Sequence, residues 1–549
     1  MLSQFYLSLY IHQMKRILVL IIVLLTAIVT MAYLYFTGLK ADKKNNDNAL
    51  YAAASGSAFI FAFQNEKSIL DILSSQSLLK EIIGDEKSEQ LRILYQYLLS
   101  KPAISTLADK QNIYVSLYPG AGHGIDFLYS TQLNTGSGPG QLMNALKSAG
   151  ISTSSGQSLS KLILADSTVF YLALKDNLLL LSSAANLVQN GLSAVPGKDD
   201  RFTEYIESTS RLSKTSLAEI YINYSKLPKL LQAAMPGNLN GELSVLNHQN
   251  AFASLVYNYS AEKILFNGNT QINDPASYYQ LFVGFSAQKV TINRILPQNT
   301  ASYTIYTIAD YENWRKSLST WFNSKKESGK INKIINHINT KYHLDPEQTF
   351  PRYFKNQLIT FQLSTAEKIG ALELTNGDKL KQLLLDLSSN YSDDIKAFYE
   401  PDLLYCYFGE PFKKFRKPYY AIIDNYMVFA NNASTVQSFL NSYKGNRLLI
   451  NNTDYIYSVG QLPNTSGITF FINFKNSSDL LLQNVYLPYY RHITGEKGLR
   501  DYSSFIYQLS AEQGKFQTNI LLNKKEEALK PDSLEIDADS LTIGLRQTN

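Results

Sequence analysis

The decapeptide YPGAGHGIDF, residues 118–127, places Gly120, Gly122 and Gly124 around His123, and glycine-rich loops of this kind can cradle phosphate. A phosphate loop, however, needs its glycines to open a helix whose N-terminal amides face the anion. Here an alternating apolar segment follows and predicts a strand, so the motif reads as a hairpin turn. The chain has six histidines, and His337 and His343 lie six apart, a spacing that does not share a helical face; no HExxH occurs. Cys406 is the sole cysteine, which excludes an internal disulfide, a CxxC pair, a Cys-rich zinc site and a lipoprotein anchor. It reads as a small buried hydrophobe. Glu262 and Glu512 recur at matched places, yet both fall in predicted turns, where a solvated carboxylate is expected. The basic run KKFRK, residues 413–417, could meet an anionic lipid or polymer, but its counterpart SKLILADS lacks the charge, and it reads as a solvated loop. No GxSxG elbow or kinase signature is present. The residues therefore predict no catalytic, cofactor-binding or metal-ligating site, and no cofactor.

Composition constrains the elements that surround these residues. A length of 549 residues suggests about three units. The hydrophobic fraction of 45% and charged fraction of 18% describe a foldable chain. With 38 Tyr and 27 Phe against 2 Trp, a β-rich core is expected, because Tyr and Phe favour half-buried sheet surfaces. A net charge of +5 without a long basic block does not imply nucleic acid.

Residues 17–36, ILVLIIVLLTAIVTMAYLYF, form an uncharged apolar run of 20 residues, about 30 Å as a helix and the thickness of a bilayer core. Its length and its terminal Tyr33, Tyr35 and Phe36 predict an uncleaved signal anchor and not a cleaved signal peptide. Residues 1–16 are then a short tail and 37–51 a polar tether, while Lys15 and Arg16 before the span and Lys40, Lys43 and Lys44 after it leave the orientation open.

The rest of the chain reads as written twice. FYLALKDNLLLLSSAANLVQ at 170–189 returns as YYAIIDNYMVFANNASTVQ at 419–437, with Asp176-Asn177 over Asp424-Asn425. Ile222-Asn223 falls over Ile472-Asn473. SLVYNYSAEKILF at 254–266 falls over SFIYQLSAEQGKF at 504–516, sharing Ser254, Tyr257, Ser260, Ala261, Glu262 and Phe266 with Ser504, Tyr507, Ser510, Ala511, Glu512 and Phe516. The offset stays between about 245 and 250, which predicts a tandem duplication: copy one at 52–273, a connector at 274–297, copy two at 298–523 and an acidic tail at 524–549. Strand pairs with single helices between them give an α+β class, two tandem copies of an antiparallel sheet covered by helices. Trp314, Leu318, Trp321 and Phe322 at helical spacing read as core.

The N-terminal span, followed by SAFIFAFQNEKSILDILSSQSLLKEI and NIYVSLYPGAGHGIDFLYSTQL, resembles a family of uncharacterised membrane-anchored proteins from Bacteroidota related to the DUF3352 group. The resemblance implies a single-pass protein of the inner membrane with residues 1–16 as a short cytoplasmic tail and its bulk in the periplasm, and it carries over no catalytic residues. The expected function is a non-enzymatic, membrane-anchored envelope protein, held through residues 17–36, that binds or scaffolds a periplasmic component, with an envelope protein as partner. The alternatives are an enzyme with no linear motif and a carrier of an apolar ligand.

Overall fold

The computed structural model describes residues 47–525, apart from 75–80, 82–84, 150, 156–158, 165–167, 195–200, 213–215, 238–240, 248–249, 259, 261, 344 and 497. Residues 1–48 and 49–549 form two units; the second carries the fold. Its strands are β1 (Phe59–Gln64), β2 (Asn112–Pro119), β3 (Ile125–Gln132), β4 (Ser152–Ser155), β5 (Ser160–Ile163), β6 (Val169–Lys175), β7 (Leu178–Ser182), β8 (Ala218–Asn223), β9 (Ala251–Asn258) and β10 (Lys263–Ile272). After the short β11 (Gln288–Lys289) come β12 (Thr300–Thr307), β13 (Phe354–Leu363), β14 (Lys368–Leu374), β15 (Ser388–Asn390), β16 (Lys396–Phe398), β17 (Tyr419–Ile423) and β18 (Tyr426–Ala430). The last four are β19 (Thr465–Ser466), β20 (Ile468–Asn473), β21 (Tyr502–Glu512) and β22 (Lys515–Lys524).

Among the described residues, 20 of these strands form one sheet, while β11 and β19 pair separately. Following the ladders, the order is β4-β5-β6-β7-β3-β2-β1-β8-β9-β10, then β22-β21-β20-β12-β13-β14-β18-β17-β16-β15, antiparallel throughout. Read inward from either edge, the two halves list their strands in the same sequence of connections.

The expected fold class is corrected on two counts. A membrane helix followed by two separate domains would give each half its own sheet. Instead β10 pairs with β22 from Lys263 opposite Asn523 to Thr270 opposite Phe516, and the sheet is continuous. The reason is an edge effect: the last strand of each half would otherwise present a row of open N–H and C=O groups, and pairing the two edges satisfies both. Polar side chains fasten the same seam, with Tyr224 Oη and Tyr507 Oη 2.9 Å apart and Thr518 Oγ1 donating to Thr270 Oγ1 at 2.7 Å. The connector 274–297 is also no loose link, because Tyr278 and Phe282 are buried in the core.

The second correction concerns the membrane. The expected signal anchor, residues 17–36, lies outside the described residues, and among the described residues no helix is long and apolar enough to cross a membrane. The longest, Ser328–Tyr342, has 15 residues and carries Lys330, Lys333 and Lys341; at about 1.5 Å per residue it falls well short of a bilayer core. The described residues thus supply no spanning helix for the expected single-pass, signal-anchored architecture. In the expected tether, a helix at Asn48–Ala54 buries Leu50, Ala52 and Ala53.

Side chains of a strand alternate between faces, and here the two faces build different cores. On one face Ile220 and Ile222 of β8 join Phe470 of β20 and Tyr507 and Leu509 of β21 in a central cluster shared by both halves. The helix Tyr311–Ser324, capped by Asp310 accepting from the Asn313 amide, lays Trp314, Leu318, Trp321 and Phe322 into that cluster. On the other face each half has its own cluster. Tyr221 and Phe252 pack with Phe202 and Ile206 in the first half, and Phe471 and Ile506 pack with Phe439 and Tyr455 in the second.

Candidate functional site

The two halves diverge at one ladder position. Asn223 ends β8 and lies opposite Phe252 on β9, whereas Asn473 ends β20 and lies opposite Ser504 on β21. Register therefore makes Phe252 and Ser504 equivalent. In the first half the Phe252 ring stacks on Phe202 at 5.2 Å and lies 5.7 Å from Tyr205, filling the space between the sheet and the helix Arg201–Thr209. In the second half a hydroxymethyl stands in place of that ring, and a cavity of about 470 Å³ opens there. Asn473, Ser503 and Ser504 line it from the strands, with Phe471, and Tyr455 and Ser458 from the helix Thr453–Gly460.

Local chemistry fixes that helix in place. Asn452 starts it by accepting from the Tyr455 amide at 2.9 Å, the usual N-cap arrangement. The Tyr455 hydroxyl accepts from Asn293 Nδ2 at 2.9 Å and meets Tyr303 Oη at 3.1 Å, so it is committed within the protein. Burial raises the Tyr455 phenol above its ordinary value, an effect that hydrogen bonds with Tyr303 and Asn293 oppose. Phe471 stacks on Tyr303 at 4.9 Å with the planes 12° apart, giving the cavity a rigid aromatic wall.

Ser458 Oγ donates to the Asp454 carbonyl at 2.7 Å, lies 3.0 Å from Ser503 Oγ, and accepts from Asn523 Nδ2 at 3.3 Å. Each of these contacts is to a hydroxyl, an amide or a carbonyl. A nucleophilic serine needs a base within hydrogen-bond reach, and none of these partners is one. Ser504 is 1% exposed and its hydroxyl has no hydrogen-bond partner among the described residues; Asn523 Oδ1 is likewise unpartnered. A buried polar atom left unmatched costs about 1–3 kcal/mol, so such atoms call for an explanation.

Comparison with protein-family models, with curated proteins and with solved structures returns no match in any of the three. The geometry thus stands on its own.

The residues singled out in the sequence are scattered relative to this cavity. His123 adopts a left-handed φ of 64° in the β2–β3 turn; its ring centroid is 3.8 Å from that of Tyr486, and its carbonyl accepts from Tyr489 Oη at 2.8 Å. It serves as a contact between the halves. Cys406 is fully buried in the helix Leu403–Phe408. Glu262 is exposed, with Tyr457 Oη at 3.4 Å, and Glu512 is exposed at the β21–β22 turn. His337 Nε2 lies 3.4 Å from Glu400, while His343 takes a left-handed conformation after the helix Ser328–Tyr342. The basic run is neutralised locally, with Arg416 at 3.3 Å from Asp402 and Lys413 at 3.8 Å from both Glu327 and Glu410. Among the described residues no group of three His, Cys, Asp or Glu side chains could hold a metal ion.

The cavity residues were missed because the sequence match pairs Ser254 with Ser504. Strand register places Ser254 opposite Tyr221 and Ile506 opposite Phe471, so the hairpin has slid by two residues between the halves. Aligning the copies on the β8 and β20 dipeptide and then counting across the ladder would have exposed the Phe252–Ser504 difference.

Proposed function

We propose that this protein is a non-enzymatic binding protein whose ligand occupies the cavity of its second half. The observation that carries the reading is the register-equivalent pair: a position filled by a stacked phenylalanine in one copy is held open by a buried, unpartnered serine in the other. A volume of about 470 Å³ lies within the range of small-molecule sites, roughly 300–1,000 Å³. The polar lining speaks against an apolar cargo, which would strand these amides and hydroxyls without partners. Placement of the ligand outside the cytoplasm, expected from the sequence, is part of the proposal.

The test is retention of small molecules. Full-length protein is incubated with a metabolite extract, freed of unbound material and analysed by mass spectrometry beside the Ser504→Phe variant. The expected result is at least one compound retained stoichiometrically by the natural protein and lost from the variant. If the two retain the same compounds, or neither retains any, the cavity is not a ligand site.

A further inference from the structure

The rim of the cavity is unevenly charged. Arg447, Lys475 and Lys525 line it against one carboxylate, Asp454. The Arg447 guanidinium donates to the Asn441 carbonyl at 3.3 Å and Lys525 Nζ to the Arg500 carbonyl at 2.6 Å. Among the described residues none of the three cations meets a carboxylate. Two cations elsewhere on the surface, Lys444 and Arg500, do meet carboxylates, at Asp394 (2.7 Å) and at Glu496 (2.6 Å). Three cations against one carboxylate give the concavity a net positive lining, and such a lining favours an anion.

Between the cations lie side-chain amides with capacity to spare. Asn452 and Asn473 use their Oδ1 atoms on the Tyr455 and Asn476 amides, which leaves their Nδ2 groups as donors. Asn476 spends its Nδ2 on the carbonyls of Gln298 and Thr300, which leaves Oδ1 as an acceptor. Gln298 and Asn299 add two further amides. Donors and acceptors interleaved at this density match groups that are donor and acceptor at once, which is the character of a hydroxyl.

We propose that the ligand is an anionic, polyhydroxylated small molecule, a sugar acid or a sugar phosphate. Its charge faces Arg447, Lys475 and Lys525, and its hydroxyls face the asparagines. This rests on the reading of the cavity as a ligand site and names the chemical class that site selects.

The experiment is isothermal titration of the full-length protein with four probes: D-glucuronate, glucose 6-phosphate, glucose and inorganic phosphate. At least one sugar anion is expected to bind at least tenfold more tightly than glucose and than phosphate; the stronger of the two anions says whether the carboxylate or the phosphate is the natural charge. Lys475→Ala and Arg447→Ala should each weaken that binding several-fold without changing the unfolding midpoint, the weakening should shrink in high salt, and Ser504→Phe should abolish it. Glucose binding as tightly as the anions, or anion binding indifferent to both charge removals, overturns the anionic class. Phosphate binding as tightly as the sugar anions overturns the hydroxyl-rich class. Binding of none of the four overturns the inference altogether. In each of these cases a Ser504-dependent compound from the metabolite extract would still uphold the cavity as a ligand site.

Discussion

Truncating the two register-equivalent residues should give opposite results. Phe252 is 6% exposed and its ring is held between Phe202 and Tyr205. Phe252→Ala removes a buried ring and leaves a void under the helix Arg201–Thr209, a change that costs about 3–5 kcal/mol. Two lost aromatic contacts, at about 0.5–1.5 kcal/mol each beyond area burial, push the cost toward the upper end. Ser504→Ala removes an oxygen that bonds to nothing in the fold. Relief of its desolvation, about 1–3 kcal/mol at most, offsets the small loss of packing, so the variant should fall within about 0.5 kcal/mol of the natural protein or above it. Urea midpoints at matched m-values measure both, and the two variants should differ by about 3 kcal/mol or more. A Ser504→Ala variant destabilised by more than about 1 kcal/mol would mean that the hydroxyl supports the fold, and the reading of it as an unmatched buried atom beside the cavity would fail.

Three further outcomes follow from the same structure. Gly268 sits mid-strand in β10 between β9 and β22, and a Cβ there would run into the Ser254 carbonyl oxygen, so Gly268→Ala should lower stability by about 1–3 kcal/mol in urea, whereas Gly329→Ala, in the helix Ser328–Tyr342 with open space around it, should not be destabilising. Burial acts to raise the Asp402 carboxyl, but hydrogen bonds and charge from Lys330 and Arg416 outweigh it and hold the group below its ordinary 3.8. Since the folded value is the depressed one, its contribution to stability is complete above that ordinary value and is lost as pH falls through the folded value; Asp402→Asn should flatten the acid limb of a stability–pH curve, and an unchanged limb would refute the pairing. Burial lifts the Tyr420 phenol to about 12, with a hydrogen bond from Ser388 pulling the other way, and holds Tyr303 well above the ordinary 10.0. Raised folded values contribute stability below pH 10 that is lost as pH rises through the folded values, so tyrosinate absorbance should rise first for exposed tyrosines such as Tyr391 and Tyr399 and then in a second step that coincides with alkaline unfolding as the buried ones ionise.

What could be read from the sequence was whatever one segment determines by itself. The hairpin turns are an example: Asp176 and Asp424 take left-handed φ values of 55° and 49°, a conformation that Asp and Asn tolerate in tight turns. The joining of the halves into one sheet could not be read, because it depends on β10 meeting β22, a pairing between the edges of two distant hairpins that leaves no local pattern. The site was hidden for a more specific reason. Identity suggested that Ser254 and Ser504 are the same residue in two copies, and identical residues give no reason to look further. In the ladder, Ser254 faces Tyr221, and it is Phe252 that holds the place of Ser504. Two-residue slippage keeps every side chain on its original face, so the alternation of apolar and polar residues survives it intact and cannot report it. The consequence reaches function. One copy closes the space between sheet and helix with an aromatic stack, while the other leaves it open and lines it with amides and with Arg447, Lys475 and Lys525. A duplicated fold thus supplies its own reference state, and Ser504→Phe converts one half toward the other at a single position.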